Sequence, residues 1–417
     1  MGLQKKDIGF KKFMESLEGA QHAQFLALST TKVKSPDHFE KMRQHLLAHY
    51  SGIEVASSFE DPNGQVWDCV PVGQQPSLKE KGRRLPVPPV LVSPPTKKTQ
   101  QAAARGQLAR SFLSNAKKDR YGNTLFCSPG FIPIRRTTLD ELMKFETLDK
   151  FLKKSPRSNL APGNAPLEAD TGNEVHKYAH AAQQVDNVGG HSFLNIWQPA
   201  IAGDQVFSLS QHWYIAGDGT QLQTVEAGWQ VYPEKYGTPE PCLFIYYTPD
   251  NYTTGCYNLD SAAFVQTSHK WALGGPLSGQ ISSRDGDQFE IEISWSLADG
   301  NWWLFINGLT PDDAVGYYPA TLYKGGPLAS HATFIDYGGE TVGSSSWPEM
   351  GSGAFAGEGD KKAAYQRSIN YFDTTGGSNW ASLSPNQDFP NCFTIDPGED
   401  NEQGPFFYFG GPGGNNC

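Results

Sequence analysis

The chain has 417 residues, of which 19% are charged and 12% aromatic, with 44 glycines and 29 prolines. That length exceeds one ordinary core and calls for two or three domains, and the aromatic, Gly- and Pro-rich balance suits an all-β extracellular protein better than a helical cytosolic one. The net charge of −10 is unevenly spread: residues 1–160 hold 26 Lys and Arg against 15 Asp and Glu, and residues 161–417 hold 8 against 29. A basic first part and a strongly acidic second part suggest that the two dock on each other. Scattered basic residues without a nucleic-acid motif argue against a nucleic-acid partner. The absence of any long apolar run argues against a membrane one.

Taken in order, residues 1–14 carry four lysines and no apolar stretch, so no signal peptide is visible, and Lys6 stands where a myristoylation signal needs Ser or Thr. Ser35 and Pro36 open a helix expected over 36–50, as cap and first helical residue. Short strands are expected at 53–56 and 66–70. A Pro-rich basic stretch over 79–99 reads as an extended linker. Residues 102–118 read as a second helix and 131–137 as extended. Thr138 then caps a helix expected from 139 to about 154. Residues 155–173 hold Pro156, Pro162, Pro166 and few apolar side chains. Their composition marks a cleavable linker between a smaller α+β domain, 1–154, and a second domain, 174–417.

Beyond the linker the text becomes strand-like runs separated by turn signals. The runs fall at 207–217, 224–232, 243–248, 264–267, 289–297, 302–306, 316–318 and 333–337, with turns such as Asp285-Gly286-Asp287 and Asp299-Gly300-Asn301. This spacing predicts an antiparallel β-sandwich of the jelly-roll or lectin kind, in which only 361–372 reads as a helix. Within it, alternation over 223–233 places Val225, Ala227, Trp229 and Val231 on a core face. Glu226, Gly228, Gln230 and Tyr232 fall on the other. A glycine in mid-strand marks a close approach to the backbone, so this second face reads as a ligand floor with Glu226 over it.

Six cysteines, none in a CxxC pair and none beside a histidine cluster, argue for an oxidising compartment and three disulfides; neither a metal nor a cofactor is expected. Cys242 and Cys256 flank the turn at 249–251 and are expected to pair in a hairpin. Cys392 with Cys417 would tie down the C-terminus, leaving Cys69 for Cys127. Asn251-Tyr252-Thr253 is a glycosylation acceptor on a turn.

A second notable glutamate is Glu349, in Ser346-Trp347-Pro348-Glu349-Met350-Gly351-Ser352-Gly353. The two glutamate stretches resemble the neprosin family of glutamic peptidases. So do Phe207-Ser208-Leu209-Ser210-Gln211, Thr254-Gly255-Cys256-Tyr257-Asn258-Leu259, Gly300-Asn301-Trp302-Trp303-Leu304, Val315-Gly316-Tyr317-Tyr318-Pro319 and Asp336-Tyr337-Gly338-Gly339-Glu340. Asp68-Cys69-Val70, Gln75-Pro76, Cys127 and Ile132-Pro133-Ile134-Arg135-Arg136-Thr137 resemble the family's activation peptide. One departure is Ser261, where the family carries a second cysteine; Cys242 would replace it as the partner of Cys256.

The resemblance implies a secreted acid endopeptidase that cleaves after proline, made as a zymogen with its propeptide as intramolecular inhibitor. It implies Glu226 and Glu349 as the catalytic pair. Metal-free amide hydrolysis needs one carboxylate to take a proton from water and a protonated partner to serve the carbonyl and the leaving amine. Two carboxylates sharing a site divide those roles. Gln230, Tyr232, Gln211 and Trp302 are candidates for binding the substrate or the tetrahedral intermediate, although Gln211 reads more simply as structural. One of Trp302 and Trp303 must point to the core. Glu340 could assist the pair, but after two glycines it reads more simply as a solvated turn residue, and the histidines read as structural. The competing functions are a glycoside hydrolase or carbohydrate-binding β-sandwich using the same glutamates, and a non-catalytic secreted scaffold.

Overall fold

The computed structural model describes residues 9–79, 85–95, 106–154, 174–400, 404–415 and 417. The expected linker 155–173 and the flanks of the Pro-rich stretch lie outside these residues.

The first part is built on a three-stranded antiparallel sheet, Ser57–Glu60, Val66–Pro71 and Phe131–Arg135, covered by helices Phe10–Glu18 and Pro36–Tyr50. The longer helix buries Phe39, Met42, Leu46 and Tyr50, the three- and four-residue spacing of one apolar stripe. Tyr50 Oη accepts from the Thr137 amide at 2.7 Å, which ties helix to sheet. A disulfide joins Cys69 to Cys127. The helix expected from 139 is two short ones, Leu139–Leu142 and Leu148–Leu152, because Thr147 provides a second cap, accepting from the Lys150 amide at 3.2 Å. Within 102–118 the described residues form strands Gln107–Leu108 and Ser114–Lys118 instead of a helix.

Two antiparallel sheets make up the rest. The first has the spatial order Cys256–Tyr257, Cys242–Thr248, Gln223–Val231, Gln205–Ala216, Ala332–Gly343, Val175–Asn187, Ser384–Gln387. The second runs Val265–Gln266, Ala314–Pro319, Asn301–Ile306, Phe289–Ala298, Gly189–Asn195, Ala364–Phe372, Gly404–Gly410, Thr394–Asp400. Ser378–Trp380 pairs beside the 364–372 strand, and Gln107–Leu108 of the first part adds in parallel to Phe289–Ala298. Positive φ at Asp299 (48°) and Gly300 (71°) closes the hairpin between 289–298 and 301–306, as the Asp-Gly pair predicts. The helix expected over 361–372 is a strand, paired with Gly189–Asn195 and Gly404–Gly410. Its Tyr, Ile and Phe residues suit that position, and Arg367 forms a buried ion pair with Glu290 across the sheet.

The sheets face each other through one parity of each strand. Trp229 Nε1 donates to the Asn195 carbonyl at 2.9 Å, the Tyr214 and Tyr337 hydroxyls meet at 3.0 Å, and Trp302 stacks on Tyr214. The opposite parity, with Glu226 on the first sheet and Trp303 on the second, faces outward and is covered by the first part of the chain.

Cys392 bridges to Cys417, but Cys242 and Cys256 are free and buried, against the expected pairing. Cys256 lies opposite Tyr247, at the far end of the strand that Cys242 begins. Five residues of strand hold their Cα atoms roughly 15 Å apart, far beyond disulfide reach. Burial raises both thiols, that of Cys256 to about 12. Thiol titration should therefore find no reactive cysteine in the native protein and two per chain after non-reducing denaturation. A count of zero in the denatured chain would restore the third disulfide.

Candidate functional site

Three neighbouring strands build the site on the outward face of the first sheet. The register aligns Glu226 with Trp213 and Asp336, Gly228 with Gln211 and Gly338, and Gln230 with Leu209 and Glu340. Directly paired residues share a face, so Gln211 lies between two glycines with Glu226 two residues to one side and Glu340 two residues to the other. Both glycines are required by strand packing. A Cβ at Gly228 would meet the Ser210 carbonyl oxygen at 2.0 Å, and one at Gly338 the Ala179 oxygen at 2.5 Å. What approaches Gly228 so closely is the neighbouring strand, where the sequence pattern suggested a ligand.

Glu226 and Glu340 are both fully buried. Thr224 and Tyr252 hydroxyls donate to Glu226 Oε1 at 2.8 and 3.0 Å. His176 Nδ1 lies 2.6 Å from Glu340 Oε1, the Tyr178 hydroxyl donates to the same oxygen at 3.3 Å, and Gln211 Nε2 donates to Oε2 at 3.2 Å. Between the carboxylates sits one ammonium group, that of Lys154 at the end of the first part. It donates to Glu226 Oε2 at 2.8 Å, Glu340 Oε2 at 3.1 Å and Gln211 Oε1 at 3.3 Å. Three acceptors use its three protons. The carboxylate oxygens therefore lie no further apart than two hydrogen bonds laid end to end. Trp213, Phe244 and Tyr246 surround the ammonium with ring centroids 5.7–5.9 Å away.

The chain leading to Lys154 lies along the same face. Lys235 Nζ donates to the Phe151 carbonyl at 2.8 Å and sits over the Phe151 ring. Phe145 packs edge-on against Phe151 and Tyr232. Beside this segment a cleft of about 810 Å³ remains, lined among others by Lys154, His176, Phe207, Tyr232 and Val342.

The residues singled out from sequence distribute as follows. Glu226 and Gln211 belong to the site, Gln211 between the two carboxylates. Gln230 is on the same face, its Oε1 accepting from Tyr236 at 3.0 Å and its buried Nε2 without a hydrogen-bond partner among the described residues. Tyr232 lines the cleft. Glu349 does not join them. It is exposed on the loop after strand Ala332–Gly343, its carboxyl lying over Gly353, while its neighbour Met350 turns into the core against Gly339. Trp302 is likewise outside the site, in the core with Nε1 on the Leu328 carbonyl at 2.8 Å; Trp303 has the outward side chain. Glu340, read as a solvated turn residue, is a fully buried strand residue, and His176 is its partner. Alternation carried the missed signal. Glu340 stands two residues from Gly338 as Glu226 stands two from Gly228, so both glutamates share a face with a mid-strand glycine.

A family model described as Neprosin matches residues 204–412. The chain belongs to the neprosin family. By class it is a glutamic-type endopeptidase. The neprosin match spans Glu226, Glu340 and Glu349 and leaves Lys154 outside it. Among solved structures, the chain is similar to scytalido-glutamic peptidase with a transition state analog inhibitor (10% identity, TM-score 0.32, 57% of this chain and 98% of that one). It is also similar to SCP-B, a member of the eqolisin family of peptidases, in complex with the tripeptide Ala-Ile-His (11% identity, TM-score 0.31, 57% and 98%).

Removing one partner of a buried ion pair costs about 3–5 kcal/mol. Lys154→Met should destabilise the full chain by that order at neutral pH, measured by urea unfolding. The deficit should shrink toward acid pH. There a proton can replace the ammonium between the carboxylates, so the variant's folded state binds more protons than its unfolded state and gains stability as pH falls. A pH-independent deficit would mean that Lys154 matters for its packing alone.

Proposed function

We propose that this neprosin-family protein is a zymogen of an acid endopeptidase cleaving after proline, with Glu226 and Glu340 as its catalytic pair and Lys154 as the plug between them. The observation that carries the reading is the single ammonium held by both buried carboxylates and Gln211. When the segment bearing Lys154 leaves, a water in the same place can donate to both glutamates, which is the arrangement that general-base attack on a peptide carbonyl requires. His176 partners Glu340, whereas Glu226 is otherwise held by two hydroxyls. The larger set of hydrogen-bond partners, His176, Tyr178 and Gln211, favours Glu340 as the group that takes the proton from water. Glu226 then carries the proton that polarises the carbonyl and passes to the leaving amine. Gln211, freed from Lys154, can donate to the developing oxyanion.

Acid operation follows from the pair: with no ammonium present, two buried carboxylates a few ångströms apart need a proton between them. Departure of the Lys154 segment is therefore the step that lets the site take up its proton. Trp213, Phe244 and Tyr246 around the plug offer flat apolar walls suited to a pyrrolidine ring, which supports proline specificity. Cleavage within 155–173, where Pro156, Pro162 and Pro166 stand, would separate plug from enzyme, by the enzyme's own action among other routes. The cysteine bridges and the acceptor at Asn251 support a secreted location.

Digestion of a proline-containing peptide at acid pH separates the candidates. Glu226→Gln and Glu340→Gln should each lose at least about 10²-fold in kcat, whereas Glu349→Gln should stay within a few-fold of wild type. A Glu340→Gln protein that cleaves normally, or a dead Glu349→Gln, would overturn the assignment. Lys154→Met should show cleavage without the lag that wild type displays after acidification, and an unchanged lag would remove Lys154 as the plug.

A further inference from the structure

The outward face of the second sheet carries an apolar patch for which the Glu226–Glu340 chemistry has no use. Trp303, Phe305, Tyr317, Phe372 and Val265 form one cluster there, and the Trp303 and Tyr317 rings pack at 4.7 Å. Side chains of the first part close it: Leu78 and Leu91 are buried in it, and Val72 packs against it. Leu91 belongs to the Pro-rich stretch, whose described part, 85–95, lies on the patch without regular secondary structure.

Within this strap Leu85, Val87 (77%), Val90 (75%), Val92 and Ser93 are exposed, the five prolines are half-buried, and Leu91 alone is buried in the patch. Pro86, Pro88, Pro89, Pro94 and Pro95 favour polyproline II, an extended conformation without internal hydrogen bonds. The strap's main chain contacts the loop between strands Asn301–Ile306 and Ala314–Pro319 through the Leu91 amide, which donates to the Leu309 carbonyl at 3.0 Å. Just upstream, the Gln75 side-chain amide reads both backbone groups of Gln266, donating to its carbonyl at 2.9 Å and accepting from its amide at 2.8 Å. An aromatic-lined groove holding an extended Pro-rich segment is a recurrent mode of peptide recognition, and here Leu91 is the side chain that enters it.

We propose that this groove is an exosite for proline-rich polypeptide substrates, occupied in cis by residues 85–95 until the propeptide leaves. Its role in proteolysis rests on the peptidase reading above; its capacity to bind such a chain does not. Departure of the propeptide uncovers Trp303, Phe305, Tyr317 and Phe372 on the side of the sandwich opposite Glu226. A proline-rich protein engaged there is tethered while another of its prolines is presented to the catalytic pair, which raises its effective concentration at the cleft.

The test uses the full chain and a fluorescein-labelled peptide of residues 85–95, followed by anisotropy. Leu91→Asp, which evicts the strap, should bind the peptide at least about tenfold more tightly than wild type, where the cis segment competes. Leu91→Ala serves the same purpose if the aspartate variant does not fold. Adding Tyr317→Ala to either should abolish binding, and adding Glu226→Gln should leave it unchanged. Equal binding to wild type and the evicted variant, or no binding to either, would overturn the groove. After acid activation, the free peptide should raise KM for a long proline-rich polypeptide at constant kcat and leave cleavage of a short proline peptide unaffected. Equal inhibition of both substrates would place the peptide in the catalytic cleft and overturn the exosite. Absence of any cleavage in wild type would refute the peptidase reading and with it the exosite's role, while the anisotropy result would still decide the groove.

Discussion

Two fully buried carboxylates facing each other across one sheet strand are the constraint on which the molecule turns. Desolvation penalises each charge and their mutual repulsion adds to it, so at neutral pH the arrangement needs a buried counter-charge. Lys154 provides it from 72 residues before Glu226 and 186 before Glu340. The split between a basic first part and an acidic second part is real in the sequence, but the ion pairs that express it at the surface, Lys32 with Glu234 and Lys150 with Glu174, are exposed. Such pairs contribute about 0–1 kcal/mol each. The buried Lys154 outweighs them, and it couples the first part of the chain directly to two buried carboxylates of the second.

The first part also changes what a β-sandwich requires of its sequence. Outward faces of antiparallel sheets ordinarily meet water and alternate with polar residues. Here both outward faces carry buried aromatic residues: Trp213, Phe244 and Tyr246 around the ammonium on one sheet, and Trp303, Phe305 and Tyr317 under the strap on the other. One part of the chain thus covers both outward faces, and on the proposed reading each covering is a mimic: Lys154 stands in for a proton and water, and residues 85–95 for a proline-rich chain. The basic, Pro-rich composition that marks 79–99 as a linker has a structural task in its described part.

Much of the architecture was legible because its signals are local. The helix at Pro36–Tyr50 is announced by Ser35-Pro36 and by its apolar spacing, and most sandwich strands by alternation between Gly- and Asp-bearing turns. The misread elements are those where a distant partner decides. Residues 364–372 form a strand because 189–195 and 404–410 offer ladders on either side; the helix expected from 139 is the exception, broken locally where Thr147 caps afresh. Cys242 and Cys256 look like hairpin partners along the chain, but register sets them at opposite ends of a strand. Glu349 is implied by the resemblance of its Glu-Met-Gly-Ser-Gly motif, a match read along the chain, whereas the carboxylate brought to Glu226 is the one that shares its sheet face, Glu340.

From residue order alone came the sandwich class, the family resemblance and the identity of Glu226, because periodicity, turn chemistry and short motifs are written within a few residues of each other. The tertiary structure alone decided which carboxylate meets Glu226, what lies between them, and which of two adjacent tryptophans faces the Pro-rich strap. Those outcomes depend on the register of strands more than 100 residues apart, where a shift by one position would turn every side chain to the opposite face.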